Sequence, residues 1–130
     1  MIIGIGIDII ECRRIEEVLN KFGNKFLLRI FTEKELNAIK ERKSNFVETI
    51  ASRFAVKESF FKALGIGMKN VSWKDVEIFN YDSGKPYLQV KGKSKDILYS
   101  RSKHPEIYVT ISHIKEYGMA VVIIEDKGGM

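Results

Sequence analysis

The sequence predicts one small α+β domain, an antiparallel sheet packed with one long helix and several short ones. Three observations carry that prediction. The 130 residues match the commonest size of a single domain. Stretches with helical periodicity are mixed with short β-branched runs, most of them close enough in sequence to pair as hairpins. No internal repeat divides the chain, and its only prolines, Pro86 and Pro105, make no linker. Residues 1–126 are taken as the domain and 127–130 as a frayed tail.

Residues Ile2 to Ile10, IIGIGIDII, predict a buried strand. Glu11 to about Phe22 follows as a helix, with Ile15, Val18, Leu19 and Phe22 at helical spacing, and Gly23 breaks it. Thr32 caps a short helix in TEKEL, where Glu35, three residues on, completes a capping box. The longest periodic element runs from about Asn45 to Leu64 and stops at Gly65 and Gly67. Val76 to Asn80 and Tyr87 to Val90 predict two strands joined by a turn at YDSGKP. A short helix covers Lys93 to Arg101. Two last strands, Glu106 to Ser112 and Tyr117 to Glu125, flank a connection at HIKE.

Composition narrows the class without naming it. The chain is 45% hydrophobic and 30% charged, with a net charge of +5. That balance favours anionic partners: nucleic acid, a nucleotide cofactor, an acidic protein or a membrane surface. Cys12 is the only cysteine, which excludes an intrachain disulfide and suits a reducing cytoplasm. It lacks a nearby histidine and follows an apolar strand, so it is a poor nucleophile. The run Ile2 to Ile10 is too short to span a bilayer and has no basic lead-in or cleavage site. A cytoplasmic protein is expected.

Two carboxylates stand where apolar residues belong. Alternation puts Ile2, Gly4, Gly6, Asp8 and Ile10 on one face of the first strand, beside glycines that let backbone or ligand approach. An aspartate amid isoleucines is costly to bury unless paired or bound to a cation. The plainer alternative is that Asp8 caps the next helix or contacts Arg13 or Arg14. On the long helix, Val47, Ala51, Phe54, Phe61 and Gly65 form one stripe, and Glu58 falls near its middle. Lys62, one turn later, pairs with Glu58 at the edge of a pocket. Two acids on apolar faces fit a hard cation such as magnesium, whose other positions go to water and phosphate. No Cys/His spacing supports zinc.

The strand GIGIDIIE, the helix RFAVKESFFKALGIG, the turn GKPY and the segment TISHIKEYGMAVVIIE occur in this order. Together they resemble the holo-acyl-carrier-protein synthase family, the short-chain 4′-phosphopantetheinyl transferases, over essentially the whole chain. The resemblance implies that fold. It also implies transfer of phosphopantetheine from coenzyme A to a serine of apo-acyl carrier protein, releasing adenosine 3′,5′-bisphosphate, in fatty acid biosynthesis. It makes Asp8 and Glu58 the ligands of a required Mg²⁺, and Lys62 the lysine at the coenzyme A phosphates. Ser112 and His113 match the segment at the nucleotide end, and Lys85 and Pro86 fall in the adenine pocket. Coenzyme A contacts are further assigned to Arg53 and to Gly65, which ends the helix in any case. A homotrimer with active sites at subunit boundaries is implied too. The chain departs at Ile7, Cys12 and Thr110, none of which removes a group that the chemistry needs.

In that mechanism serine oxygen attacks the β-phosphorus of a pyrophosphate, a reaction that needs positioning and charge neutralisation. Lys62 stabilises or protonates the leaving phosphate, and Glu58 accepts the serine proton, directly or through metal-bound water. His113 contacts the 3′-phosphate or closes a strand. Arg53 reaches a phosphate of a neighbouring subunit's ligand or lies on the surface, and His104, before Pro105, has no role. Arg14, Lys21, Lys25 and Arg29, with Val18 and Phe26 between them, make a basic strip for an acidic carrier protein or a solvated face. The rival class is a nucleic-acid-binding module using Arg42-Lys43 and Lys91 to Lys95. It lacks any ribonucleoprotein, zinc-finger or helix-turn-helix signature, and, like a structural trimeric adaptor, leaves the two acids unexplained. Neither a nucleic-acid nor a membrane partner is expected.

Overall fold

The β-branched run at the N-terminus forms strand β1, Ile2–Glu11, because branched side chains favour extended backbone. The computed structural model describes residues 1–41 and 45–128; Arg42, Lys43 and the last two residues of the tail lie outside the described residues. After β1 come helices α1 (Cys12–Phe22), α2 (Asn24–Ile30), α3 (Glu33–Glu41) and the long α4 (Phe46–Leu64). A 3-10 turn at Trp73–Asp75 precedes strands β2 (Val76–Asn80) and β3 (Pro86–Val90), helix α5 (Gly92–Arg101), and strands β4 (Pro105–His113) and β5 (Tyr117–Asp126).

Helix α2 has no counterpart in the sequence reading. Gly23, with φ of 58°, closes α1 through its N–H to the Leu19 carbonyl and also opens α2. The chain turns a corner there instead of leaving helical structure, and Leu27 and Ile30 bury the new face. The capping box of α3 is present: Thr32 N–H donates to Glu35 Oε1 at 3.0 Å and Glu35 N–H to Thr32 Oγ1 at 3.2 Å.

Strands β1, β5 and β4 form one antiparallel sheet in that order, and β2 and β3 form a separate hairpin. Asp8 pairs across with Ala120, and His113 with Gly118. Helix α4 lies against the sheet on one side and α1 to α3 on the other, so it is buried almost all round. Its Ala55, Val56, Phe60 and Leu64 pack with Val76, Ile78, Val122 and Ile124. Its Ile50 and Ala51 join Ile15, Leu27, Ile30, Phe31 and Ile39. The single stripe expected for this helix is therefore too narrow: Phe54 on the stripe is half-buried, whereas Lys57 off it is wholly buried.

The glycines of β1 set how closely α4 approaches. A Cβ on Gly6 would sit 1.8 Å from the Ser59 carbonyl oxygen, and one on Gly4 1.8 Å from that of Ala63. Helix backbone, not a ligand, fills the room they leave. Four residues of helix advance about 6.0 Å and two of strand about 6.7 Å, so one helical turn matches one pleat along this contact. Asp8 is the next residue on that face, and Glu58 adjoins Ser59. The opposite face of the sheet leaves Ile5, Ile7 and Ile9 more than half exposed, at 60%, 52% and 56%.

Candidate active site

Strand β1 and helix α4 bring Asp8, Glu58 and Lys62 into one group. Lys62 Nζ lies 3.0 Å from Asp8 Oδ1 and also donates to the Ile7 carbonyl at 3.1 Å. The ion pair of Lys62 is thus with Asp8 on the neighbouring element, where one turn of helix had suggested Glu58. The Asp8 side chain is only 12% exposed and that of Lys62 56%. Nor does Asp8 serve as a cap or pair with Arg13: α1 is preceded by Glu11 at its N-cap with no side-chain cap, and Arg13 pairs with Glu17 at 3.4 Å.

Burial first, and then the neighbouring Asp8 carboxylate, push Glu58 up from 4.5 to about 7, against the pull of Lys62. Asp8 Oδ2 is buried and receives no hydrogen bond. The groups at hand to satisfy it are a proton on Glu58 or a cation. Magnesium usually takes one or two carboxylates from a protein, leaving its other positions to water and phosphate. Among the described residues no group of three or more His, Cys, Asp and Glu could hold a metal, which does not suit zinc. The donor set and the orphaned oxygen fit Mg²⁺, which Asp8 and Glu58 would hold.

A cavity of about 240 Å³ is lined by Thr49, Ser52, Arg53, Asn80, Gly84, Pro86, Thr110, Ile111 and His113. Arg53 is 4% exposed, so it has no surface role. It donates to the Ile78 carbonyl at 3.3 Å and to Asn80 Oδ1 at 2.6 Å. Asn80 in turn donates to the Gly84 carbonyl at 2.8 Å, tying the turn between β2 and β3 to α4. His113 Nδ1 stands 3.3 Å from Glu48 Oε2. Of the sequence candidates, Arg53, Pro86 and His113 line this cavity, while Lys85 and Ser112 are exposed and outside its wall. Gly65 closes α4 with φ of 75°. Thr49, Ser52 and Asn80 had not been singled out, and Thr110 only as a departure from the family pattern. The signal was the three- and four-residue spacing that puts Thr49, Ser52 and Arg53 on one helix face.

Asp8, Glu58 and Lys62 do not line the cavity. Arg53 and Glu58 are five positions apart on α4, or about 140° around it, so one helix presents the acids and the cavity on different faces. Arg14, Val18 and Lys21 share a face of α1 by spacing, and Lys25 and Arg29 share one of α2. The four basic residues are exposed, Val18 is half-buried, and Phe26 packs edge-on against Phe54 at 6.0 Å. Phe22 and Leu28 on the same two helices are exposed. Of the other basic cluster, Lys91 pairs with Glu77 at 3.2 Å and Lys95 lies over the Tyr99 ring. Burial raises the Cys12 thiol, aided by Glu48 and Glu116. Among the described residues, no helix is long and apolar enough to cross a membrane.

Known proteins share this architecture. The family model described as the 4′-phosphopantetheinyl transferase superfamily matches residues 4–122. The holo-[acyl-carrier-protein] synthase of Halothermothrix orenii is 44% identical over 97% of this chain and 99% of its own length. That of Fusobacterium nucleatum is 45% identical over 95% and 99%. Among solved structures, the Bacillus anthracis holo-(acyl-carrier-protein) synthase in complex with CoA (3′,5′-ADP) superposes with a TM-score of 0.80 at 42% identity, covering 98% of this chain and 99% of that one. The Neisseria meningitidis enzyme does so with a TM-score of 0.88 at 32% identity, covering 97% and 100%. Likeness over nearly the full length, in sequence and in fold, places the chain: it belongs to the holo-acyl-carrier-protein synthase family of the 4′-phosphopantetheinyl transferase superfamily.

Proposed function

We propose that this protein transfers the 4′-phosphopantetheine group of coenzyme A to a serine hydroxyl of apo-acyl carrier protein. The observation that carries the reading is the buried, unpartnered Asp8 Oδ2 beside a Glu58 raised to about 7 and a lysine on Asp8. The serine oxygen forms a bond to the β-phosphorus, the bond from that phosphorus to the bridging oxygen breaks, and adenosine 3′,5′-bisphosphate leaves. Lys62, with its side chain more than half exposed, neutralises charge on the leaving phosphate. Glu58 accepts the serine proton, directly or through a bound water. Asp8 holds Lys62 in place and, with Glu58, would bind Mg²⁺, which when present neutralises and orients the pyrophosphate.

The cavity around Arg53, Asn80 and His113 is our candidate for the nucleotide end of coenzyme A. Its separation from Asp8 and Glu58, and the exposed Ile5, Ile7 and Ile9 face, support a homotrimer in which neighbouring subunits complete each site. The basic strip from Arg14 to Arg29 supports docking of an acidic carrier protein. A lone buried thiol at Cys12 suits a cytoplasmic enzyme. Incubation with coenzyme A, Mg²⁺ and apo-acyl carrier protein, followed by the carrier's mass, tests the proposal. The mass should rise by one phosphopantetheine and stay unchanged in a chelator; an unmodified carrier with Mg²⁺ present would refute it.

A further inference from the structure

The residue before Glu58 on α4 carries a charge that this mechanism does not use. Lys57 is wholly buried. Its ammonium has three donors, and three acceptors meet them: the Ile30 carbonyl at 2.9 Å, the Trp73 carbonyl at 3.0 Å and Glu35 Oε1 at 2.7 Å. Glu35 is also at 0% exposure. Its Oε1 further accepts the Thr32 N–H of the capping box, and its Oε2 accepts the Ile78 N–H of β2 at 3.1 Å. The carbonyl of that same Ile78 accepts from Arg53, which holds Asn80, which holds Gly84. A continuous set of contacts therefore leads from one carboxylate on α3 to three residues of the cavity wall.

A capping box needs only one carboxylate oxygen. A buried ion pair adds little net stability, because desolvation offsets its attraction. What a fully satisfied buried network does supply is fixed geometry, and here the parts fixed are β2 and α4. On the transferase reading above, we propose that Glu35 is a positioning residue for the nucleotide end of the site. It holds β2 at one height on α4, so that Arg53 and Asn80 present their polar groups to coenzyme A.

Glu35→Gln keeps the side-chain shape but sets an amide donor against the Ile78 N–H or the Lys57 ammonium. Removing one partner of a buried pair is itself strongly destabilising. The double variant Glu35→Gln with Lys57→Met, which leaves no uncompensated charge, is therefore measured alongside. In whichever variant folds by thermal melting, KM for coenzyme A should rise about tenfold, kcat stay within about threefold, and KM for carrier protein not move. Adenosine 3′,5′-bisphosphate should bind more weakly by a similar factor in direct titration. An unchanged KM for coenzyme A overturns the proposal, as does a parallel loss for both substrates. If neither variant folds, Glu35 is a stability residue and the proposal fails. A wild-type protein inert toward apo-carrier would instead sink the transferase reading itself, and the positioning role with it.

Discussion

Replacing Glu58 with glutamine should stabilise the metal-free protein while stopping its chemistry. In the folded chain Glu58 titrates near 7, not 4.5, because burial and Asp8 oppose its charge. Below pH 4.5 both folded and unfolded states hold the proton, and the effect on stability is nil. Between 4.5 and 7 the folded state keeps a proton that the unfolded chain has lost, so stability falls as pH rises. Above 7 the whole cost is present. At about 1.36 kcal/mol per pH unit the ceiling is about 3.4 kcal/mol. The partial exposure of Glu58 and screening by water reduce this to about 1–2 kcal/mol.

A glutamine at this position carries no charge and can donate its amide to the orphaned Asp8 Oδ2. Urea unfolding in EDTA, followed by the fluorescence of Trp73, the only tryptophan, reads the difference. Trp73 packs between Phe54 and Phe61, so its emission reports the α4 core. The variant should be the more stable by about 1–2 kcal/mol at pH 8 and equal to wild type near pH 4.5. Its turnover should drop by about a hundredfold or more. A variant less stable at pH 8, or a gap that does not change with pH, would refute the reasoning.

Four further outcomes follow from the geometry. Gly6→Ala should cost about 3 kcal/mol or more in denaturant unfolding, since its Cβ would fall 1.8 Å from the Ser59 carbonyl; equal stability would contradict the contact. Arg14→Glu should raise KM for carrier protein about tenfold and leave KM for coenzyme A alone; an equal loss for both substrates argues against docking there. Cys12, buried and with its thiol raised, should react with a thiol reagent only on unfolding, and Cys12→Ala should keep at least about half of wild-type kcat. Chelation should stabilise nothing and stop transfer, and adding Mg²⁺ back should restore turnover and raise the wild-type melting temperature more than that of Glu58→Gln.

Local patterns were legible in the sequence; pairings across elements were not. Period-two alternation in β1 put Asp8 on the inner face with Gly4 and Gly6, and the structure agrees. The capping box at Thr32 and Glu35 was equally plain, because both partners lie within one turn. That Glu35 also receives Lys57, 22 residues away, has no local signature. Neither does the ion pair of Lys62 with Asp8, 54 residues away, which displaced the expected partner one turn along. Helix α2 escaped notice because Gly23 looks like an ending, and seven residues carry too little periodicity to announce a new start. Arg53 looked as suited to the surface as to a site. Only tertiary packing around α4, buried on nearly every side, decides that.

The backbone contact of α4 with β1 bears on how the protein can change over time. Where side chains fill the space between helix and sheet, exchanging one apolar residue for another shifts the layers by fractions of an ångström. Along Gly4 and Gly6 no such filling exists, and main-chain oxygens rest on the strand itself. The spacing of α4 from β1, on which Asp8 and Glu58 stand, then follows from main-chain contact and not from side-chain filling. Substitutions at buried Val56, Phe60 or Ile124 would alter how many molecules are folded, while each folded molecule keeps the same competence. Specific activity and stability vary independently in such a series, and the core is free to drift beneath a site that does not move.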